Sequence, residues 1–174
     1  MKSKYKSKVL ILTAQDNKHY TFVLVLEYGE RTFDAIIRHQ HIAGTELSKS
    51  LARGLAQAIA QLHDKNIIHG DIKPLNIVLV QDFTIVKLLD LDVSCTIGSY
   101  YGSKAPSTAY CSPEVAREVM QGENALKSLK ANVAHDVFAF GLNLYELVTG
   151  QAMWKKDKND NVGDTNVYKT NLQT

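Results

Sequence analysis

The sequence has little cysteine, no long apolar run and no excess of charge of one sign. Cys95 and Cys111 are the only thiols, too few for a disulfide scaffold and without the spacing of metal ligands. Reduced cysteines and a cytoplasmic setting follow as the expectation. Apolar stretches such as FVLVL at residues 22–26 fall far below the ~18–20 residues of a membrane-spanning helix. The basic N-terminus precedes an apolar stretch, residues 9–12, too short for a secretory core. A net charge of +2 is too small to argue for nucleic acid or anionic membrane as the main partner, and neither is expected. No internal repeat is present.

What remains is the balance of a globular protein: 45% apolar and 22% charged residues in a chain of 174, enough for one domain around a single core. Lys2, Lys4, Lys6 and Lys8 alternate as on a solvated strand face. Residues 8–13 (KVLILT) and 20–27 (YTFVLVLE) read as two strands of a hairpin around Gln15-Asp16-Asn17-Lys18. A short helix is expected from Thr32 or Phe33 through Arg38. From Thr45, the positions Leu47, Leu51, Leu55, Ala58, Ile59 and Leu62 repeat at helical spacing, and residues 63–66 end that helix. Short strands are expected at 67–68, 77–80 and 85–89, and a long functional or mobile loop over 92–110. Residues 134–149 form a helix apolar nearly all round, which predicts burial on every side, with Gly150 as its stop. The polar stretch after Trp154 carries no periodicity and predicts disorder.

The chemistry concentrates in His69-Gly70-Asp71-Ile72-Lys73-Pro74-Leu75-Asn76, followed by an apolar strand. An aspartate and an asparagine five positions apart on a loop between buried strands can converge on one point. Phosphoryl transfer needs a carboxylate to orient the attacking hydroxyl and a neutral amide oxygen for Mg²⁺. The metal and its ligands then neutralise charge on the transferring phosphate. Asp90, at the end of the strand VKLL, adds a second metal-ligating carboxylate, so that Asp71, Asn76 and Asp90 form one Mg²⁺-nucleotide site. Taken singly, His69 is a core histidine, Asn76 a turn residue and Asp90 a strand-end cap; their joint spacing carries the functional reading.

These residues resemble the eukaryotic-type protein kinases of the serine/threonine branch. Residues 69–76 match the catalytic-loop pattern H-R-D-L-x-x-x-N except at Gly70 and Ile72. Asp90-Leu91-Asp92 stands at D-F-G, Ser112-Pro113-Glu114 at A-P-E, and residues 136–141 (DVFAFG) resemble the start of the family's central helix. Leu26-Glu27-Tyr28-Gly29 is similar to the hinge that meets adenine. The likeness runs from about Val9 to Trp154, with its motifs in family order.

The resemblance implies an α+β, two-lobed kinase fold, mainly the helical large lobe with a remnant of the small-lobe sheet. It places small-lobe strands in 1–27, the hinge and large lobe in 28–157 and a disordered polar tail in 158–174. ATP and Mg²⁺ are the implied cofactors, and a protein serine or threonine hydroxyl the implied acceptor. Asp71 would orient that hydroxyl, Lys73 would lie against the γ-phosphate, and Asn76 and Asp90 would hold Mg²⁺. Leu26 would be the gatekeeper, Glu27 and Gly29 would pair with the adenine edge through their backbones, and Val78 would lie beneath the ring. Ser107 would bridge the aspartate and lysine. Leu91 and His69 would stack in one hydrophobic column, and Asp136 would hold the catalytic-loop backbone from below.

Several departures qualify the likeness. No G-x-G-x-x-G and no V-A-I-K-like sequence occurs, so the phosphate clamp is absent from these residues, and the domain reads as incomplete at both ends. Glu114 is expected to be buried without its usual arginine, with fraying around it. Gly70 removes the arginine that docks a phosphorylated activation loop, and Asp92 replaces a glycine. Asn143 puts an amide where the central helix usually has leucine. Two alternatives stand beside an active kinase: a pseudokinase or kinase-like interaction fragment, and a small-molecule phosphotransferase of the aminoglycoside kinase type, which shares an H-G-D loop but lacks the activation segment.

Overall fold

The computed structural model describes residues 12–13, 19–20, 27–39, 42, 44–81, 85–122 and 125–162. Near the N-terminus, β1 (Leu12–Thr13) pairs antiparallel with β2 (His19–Tyr20), in the register Leu12 to Tyr20. The rest of that hairpin, and Leu26, lie outside the described residues.

A three-stranded antiparallel sheet carries the chain into the site. β3 (Arg31–Thr32) pairs with β5 (Ile77–Val80), and β5 pairs with β6 (Ile85–Leu88). All four β5 side chains are buried, as a continuous apolar run predicts. α1 (Phe33–His39) follows β3 directly; the Thr32 hydroxyl accepts the Ala35 amide at 3.2 Å and so caps its first turn.

α2 (Glu46–His63) opens on Thr45, whose hydroxyl accepts the Ser48 amide at 3.3 Å. Leu51, Leu55 and Ile59 line its buried face, while Leu47, placed on that face by spacing alone, is exposed at the first turn. Each such leucine contributes about 1.5–3 kcal/mol by leaving water. They pack with Phe33, Ile36, Ile77, Leu79 and Leu147 into the main core. A second cluster, around Ile68, Val93, Tyr101 and Val115, underlies the loop that follows β6.

That loop is pinned rather than free. β4 (Ile67–Ile68) pairs with β7 (Cys95–Thr96), and the Gly98, Tyr101 and Ala131 amides bond the carbonyls of Ala131, Leu129 and Ser99. Tyr101 is 3% exposed and bonds His135 Nδ1 at 2.8 Å. The loop expected to be mobile is thus held along its first half. α3 (Pro113–Gln121) and a 3₁₀ turn (Ala125–Ser128) lead to α4 (Val133–Thr149).

α4 corrects the expectation of burial all round. Its inward stripe carries His135, Asp136, Asn143 and Glu146 between Ala139, Leu142 and Leu147, whereas Val137 and Val148 are 56% and 52% exposed. The polar groups face inward because each ties α4 to a neighbouring segment. The Asn143 amide, for example, donates to Ile72 O at 3.2 Å and Ala139 O at 2.8 Å. Gly150, at φ +70°, ends the helix as expected and returns its N–H to Glu146 O.

The segment after Trp154 is a second correction. Residues 158–162, assigned by sequence to a disordered tail, are seated, with Asp160 2% exposed. The Asp157 carboxylate accepts the Asn159 and Asn161 amides at 2.8 and 2.9 Å, which closes the turn locally. Among the described residues, no helix is long and apolar enough to cross a membrane.

Candidate active site

The site is built upward from Asp136, 1% exposed on the first turn of α4. Its carboxylate accepts the His69 amide at 2.8 Å, the Gly70 amide at 2.9 Å and His63 Nε2 at 2.9 Å. A buried carboxylate is tolerated only with such partners, and here they fix the loop's entry. Gly70 sits at φ +81°, and a Cβ there would meet Val93 O at 3.0 Å. A glycine therefore suits this backbone better than the family's arginine.

His69 continues the scaffold. Nε2 lies 2.9 Å from Leu89 O, and Nδ1 accepts the Asp71 amide at 3.2 Å, so the proton belongs on Nε2. Asp71 then stands at the centre of a knot. Its Oδ1 accepts the Ser107 amide at 2.8 Å; its Oδ2 lies 3.2 Å from Asn76 Nδ2 and 3.3 Å from Lys73 Nζ. Lys73 also donates to Ser107 Oγ at 2.5 Å, and Asn76 Nδ2 reaches Asp71 O at 2.9 Å. Asp71, Lys73, Asn76 and Ser107 are thus joined directly, from the loop at 69–76 and from a segment 36 residues downstream of Asp71.

Asp90 enters from the end of β6, where Leu89 N bonds Asn76 O at 2.8 Å. Its backbone is left-handed, φ 61°, and its side chain is half exposed. Lys104 Nζ is 2.5 Å from Asp92 Oδ2 and 4.0 Å from Asp90 Oδ1. The Asp92 hydrogen bond holds the Lys104 ammonium above its ordinary range, with Asp90, Asp92 and Asp71 adding charge attraction. Leu91 is 53% exposed and does not join the buried His69 in a column. The left-handed residue before it turns the chain outward.

At the hinge, Glu30 N bonds Leu79 O at 2.8 Å, which lays the chain along β5. A Cβ on Gly29 would fall 2.3 Å from Val78 Cγ2, so the hinge backbone rests on Val78. The Glu27 side chain pairs with Lys87, a bond that, with one from Gln81, holds its carboxyl below the usual range. Glu114 is exposed on the first turn of α3 rather than buried. The backbone N–H at that helix terminus, aided by nearby His135 and Arg117, keeps it ionised to lower pH.

A family model described as protein kinase domain matches residues 3–173. The chain belongs to the protein kinase family. Among the relatives of this kinase chain are a probable serine/threonine-protein kinase mps1 of Dictyostelium discoideum, 32% identical over 82% of the chain, and the human lymphokine-activated killer T-cell-originated protein kinase, 31% identical over 72%. The yeast MAP kinase kinase MKK1/SSP32 is 31% identical over 82%. The chain spans 15%, 40% and 27% of these relatives' own lengths. None of the three is an aminoglycoside kinase. A crystal structure of the yeast RNA Pol II CTD kinase CTDK-1 complex shares the fold, with a TM-score of 0.64 at 18% identity, covering 86% of this chain and 46% of that one. The α+β kinase fold is therefore shown.

Sequence reasoning missed three parts of this kinase chain: His63 beneath Asp136, Lys104 against Asp90 and Asp92, and the seated turn at 156–162. Only the last had a local signal, the Asp157 and Asn159 pattern of a side-chain-closed turn.

Proposed function

We propose that this is a serine/threonine protein kinase domain that transfers the γ-phosphate of Mg-ATP to protein hydroxyls. The observation that carries the reading is the Asp71 knot. With Oδ1 on the Ser107 amide and Oδ2 beside Lys73 and Asn76, the carboxylate is held in one orientation, as a group that orients an attacking hydroxyl must be. Lys73 supplies a nearby positive charge for the transferring phosphate.

The residues suit Mg²⁺. Asn76 directs its N–H groups to Asp71, which leaves its amide oxygen for a cation, and Asp90 offers a half-exposed carboxylate. Among the described residues, no three histidine, cysteine or carboxylate side chains form a metal cage. One carboxylate, one amide oxygen and substrate phosphates match the way Mg²⁺ is held on nucleotides. Bound there, it would neutralise phosphate charge. Glu27 and Gly29 would receive the adenine edge over Val78.

The 174 residues alone are expected to bind Mg-ATP weakly and transfer phosphate poorly, because no Gly-rich loop or strand lysine occurs in them. Losing that phosphate clamp costs about 2–4 kcal/mol in the transition state, roughly one and a half to three decades in rate. A second reading, a kinase-like interaction fragment, is favoured by Lys104, whose ammonium pairs with Asp92 and lies 4.0 Å from Asp90.

The test is radiolabel transfer to a generic serine/threonine substrate, by this chain and by one extended with a glycine loop and lysine. Asp71→Asn and Asp90→Asn should abolish transfer in the extended form. An extended form that is inactive moves the interaction-fragment reading ahead.

A further inference from the structure

The turn at residues 156–162 touches no catalytic group, yet it grips the segment that does. Four successive amides in that segment have separate acceptors. Ser107 N–H bonds Asp71 Oδ1 at 2.8 Å, Thr108 N–H bonds Asn161 Oδ1 at 3.2 Å, Ala109 N–H bonds Asp160 O at 3.1 Å, and Tyr110 N–H bonds Ser107 O at 3.4 Å. Thr108 is held twice more: its hydroxyl lies 3.4 Å from Asn161 Oδ1 and accepts the Val162 amide at 3.0 Å. A shift of one residue in this register would remove the Ser107 amide from Asp71.

The turn is itself anchored. Lys156 pairs with Glu146 Oε1 at 3.2 Å and with Asp160 Oδ1 at 3.0 Å, and it bonds the Tyr110 hydroxyl, which in turn bonds Glu146. Glu146 and Asp160 are almost wholly buried, so these charge-assisted bonds are little screened by water. Asp157 closes the turn from its outer side. The turn at 156–162 is therefore a clamp bonded to α4 through Lys156 and Glu146, with Asn161 at its tip.

We propose that Asn161 is a positioning residue for phosphoryl transfer: through Thr108 it sets the register that places the Ser107 amide on Asp71 and the Ser107 hydroxyl beside Lys73. The proposal rests on the kinase reading for its catalytic consequence but not for its structural one. Loss of the Asn161 oxygen frees two bonds on Thr108, and the neighbouring Ser107 amide loses its fixed approach to the carboxylate. A misplacement of about 1 Å at a reacting group is enough to cost up to two decades in rate.

The experiment compares wild type, Asn161→Ala, Asn161→Asp and Thr108→Val, each as the full chain and in the extended form. Residue-resolved amide exchange is read first. In Asn161→Ala, both Thr108 and Ser107 should exchange at least tenfold faster, with the α2 amides unchanged. Asn161→Asp retains the acceptor oxygen and should bring both back to within about threefold of wild type. Thr108→Val keeps one of the three bonds and should fall between. In the extended form, Asn161→Ala should lower kcat about tenfold while leaving KM for ATP alone, and Asn161→Asp should restore it. Acceleration at Thr108 without acceleration at Ser107 overturns the proposal, as does an unchanged kcat in an active extended enzyme. If Asn161→Ala does not fold, the Ser107 exchange rate in Thr108→Val decides. If no form shows Asp71-dependent transfer, the kinase reading fails while the Ser107 exchange rates still decide whether Asn161 sets this register.

Discussion

Ser107 donates its backbone N–H to Asp71 Oδ1 at 2.8 Å, while its hydroxyl receives Lys73. One residue of the downstream segment thus holds both charged groups of the loop at 69–76. The carboxylate cannot rotate without breaking a buried bond, and the lysine cannot leave Asp71 without giving up a second acceptor.

Asp136 should be the site's most stabilising charge. Asp136→Ala leaves the His69 and Gly70 amides without acceptors in a buried place. The expected loss is about 3–5 kcal/mol, read as a lower urea midpoint with little change in slope. Asp136→Asn, which keeps one acceptor oxygen, should lose less.

Restoring the family's arginine at position 70 should harm rather than help. Gly70→Arg forces a side chain onto a φ of +81° and a Cβ to within 3.0 Å of Val93 O. A left-handed backbone alone costs about 1–2 kcal/mol for a residue with a Cβ. Thermal melting should show the loss. An unchanged midpoint would mean that the loop relaxes freely.

His135 makes stability depend on pH. Burial holds its imidazole below the ordinary 6.5, against the opposing pull of Glu114 and Asp136. The unfolded chain therefore takes up this proton first, and the folded state loses stability as pH falls below about 6.5. Urea midpoints at pH 8 and pH 5.5 should differ in that direction, and His135→Gln should reduce the difference. A midpoint that rises on acidification, in wild type but not in His135→Gln, would contradict this sign.

Lys104 should compete with a divalent cation. Lys104→Met removes the ammonium from Asp92 and Asp90, and Mn²⁺ affinity, followed by electron paramagnetic resonance in the presence of ATP, should rise roughly threefold. Added salt should shrink the gap, since the pair is exposed. Equal affinities at low salt would remove Lys104 from the site.

The loop at 69–76 was legible because its information is local: His69, Asp71, Lys73 and Asn76 fall within eight residues, directly before the apolar strand β5. The helix at 46–63 was legible for the same reason, through the helical spacing of Leu51, Leu55 and Ile59. α4 was misread because a helix apolar all round does not say which side faces inward. Its inward side was decided by hydrogen-bond acceptors on other segments, for Asp136, Asn143 and Glu146. Leu91 was misplaced by analogy of motif, since the left-handed backbone of Asp90 directs it outward.

By itself the sequence determined the helices at 33–39, 46–63 and 133–149, the core-facing positions Leu51, Leu55 and Ile59 of α2, and the identity of the residues in the loop at 69–76. Periodicity, capping and motif spacing act within a few residues of chain. The tertiary structure alone decided that His63 lies beneath Asp136, that the Asn143 amide reaches Ile72, and that the polar turn at 156–162 is seated against residues 108–110. Those relationships join groups tens of residues apart. They arise because a buried amide or carboxylate must find a partner, and only the folded chain determines which partner is near.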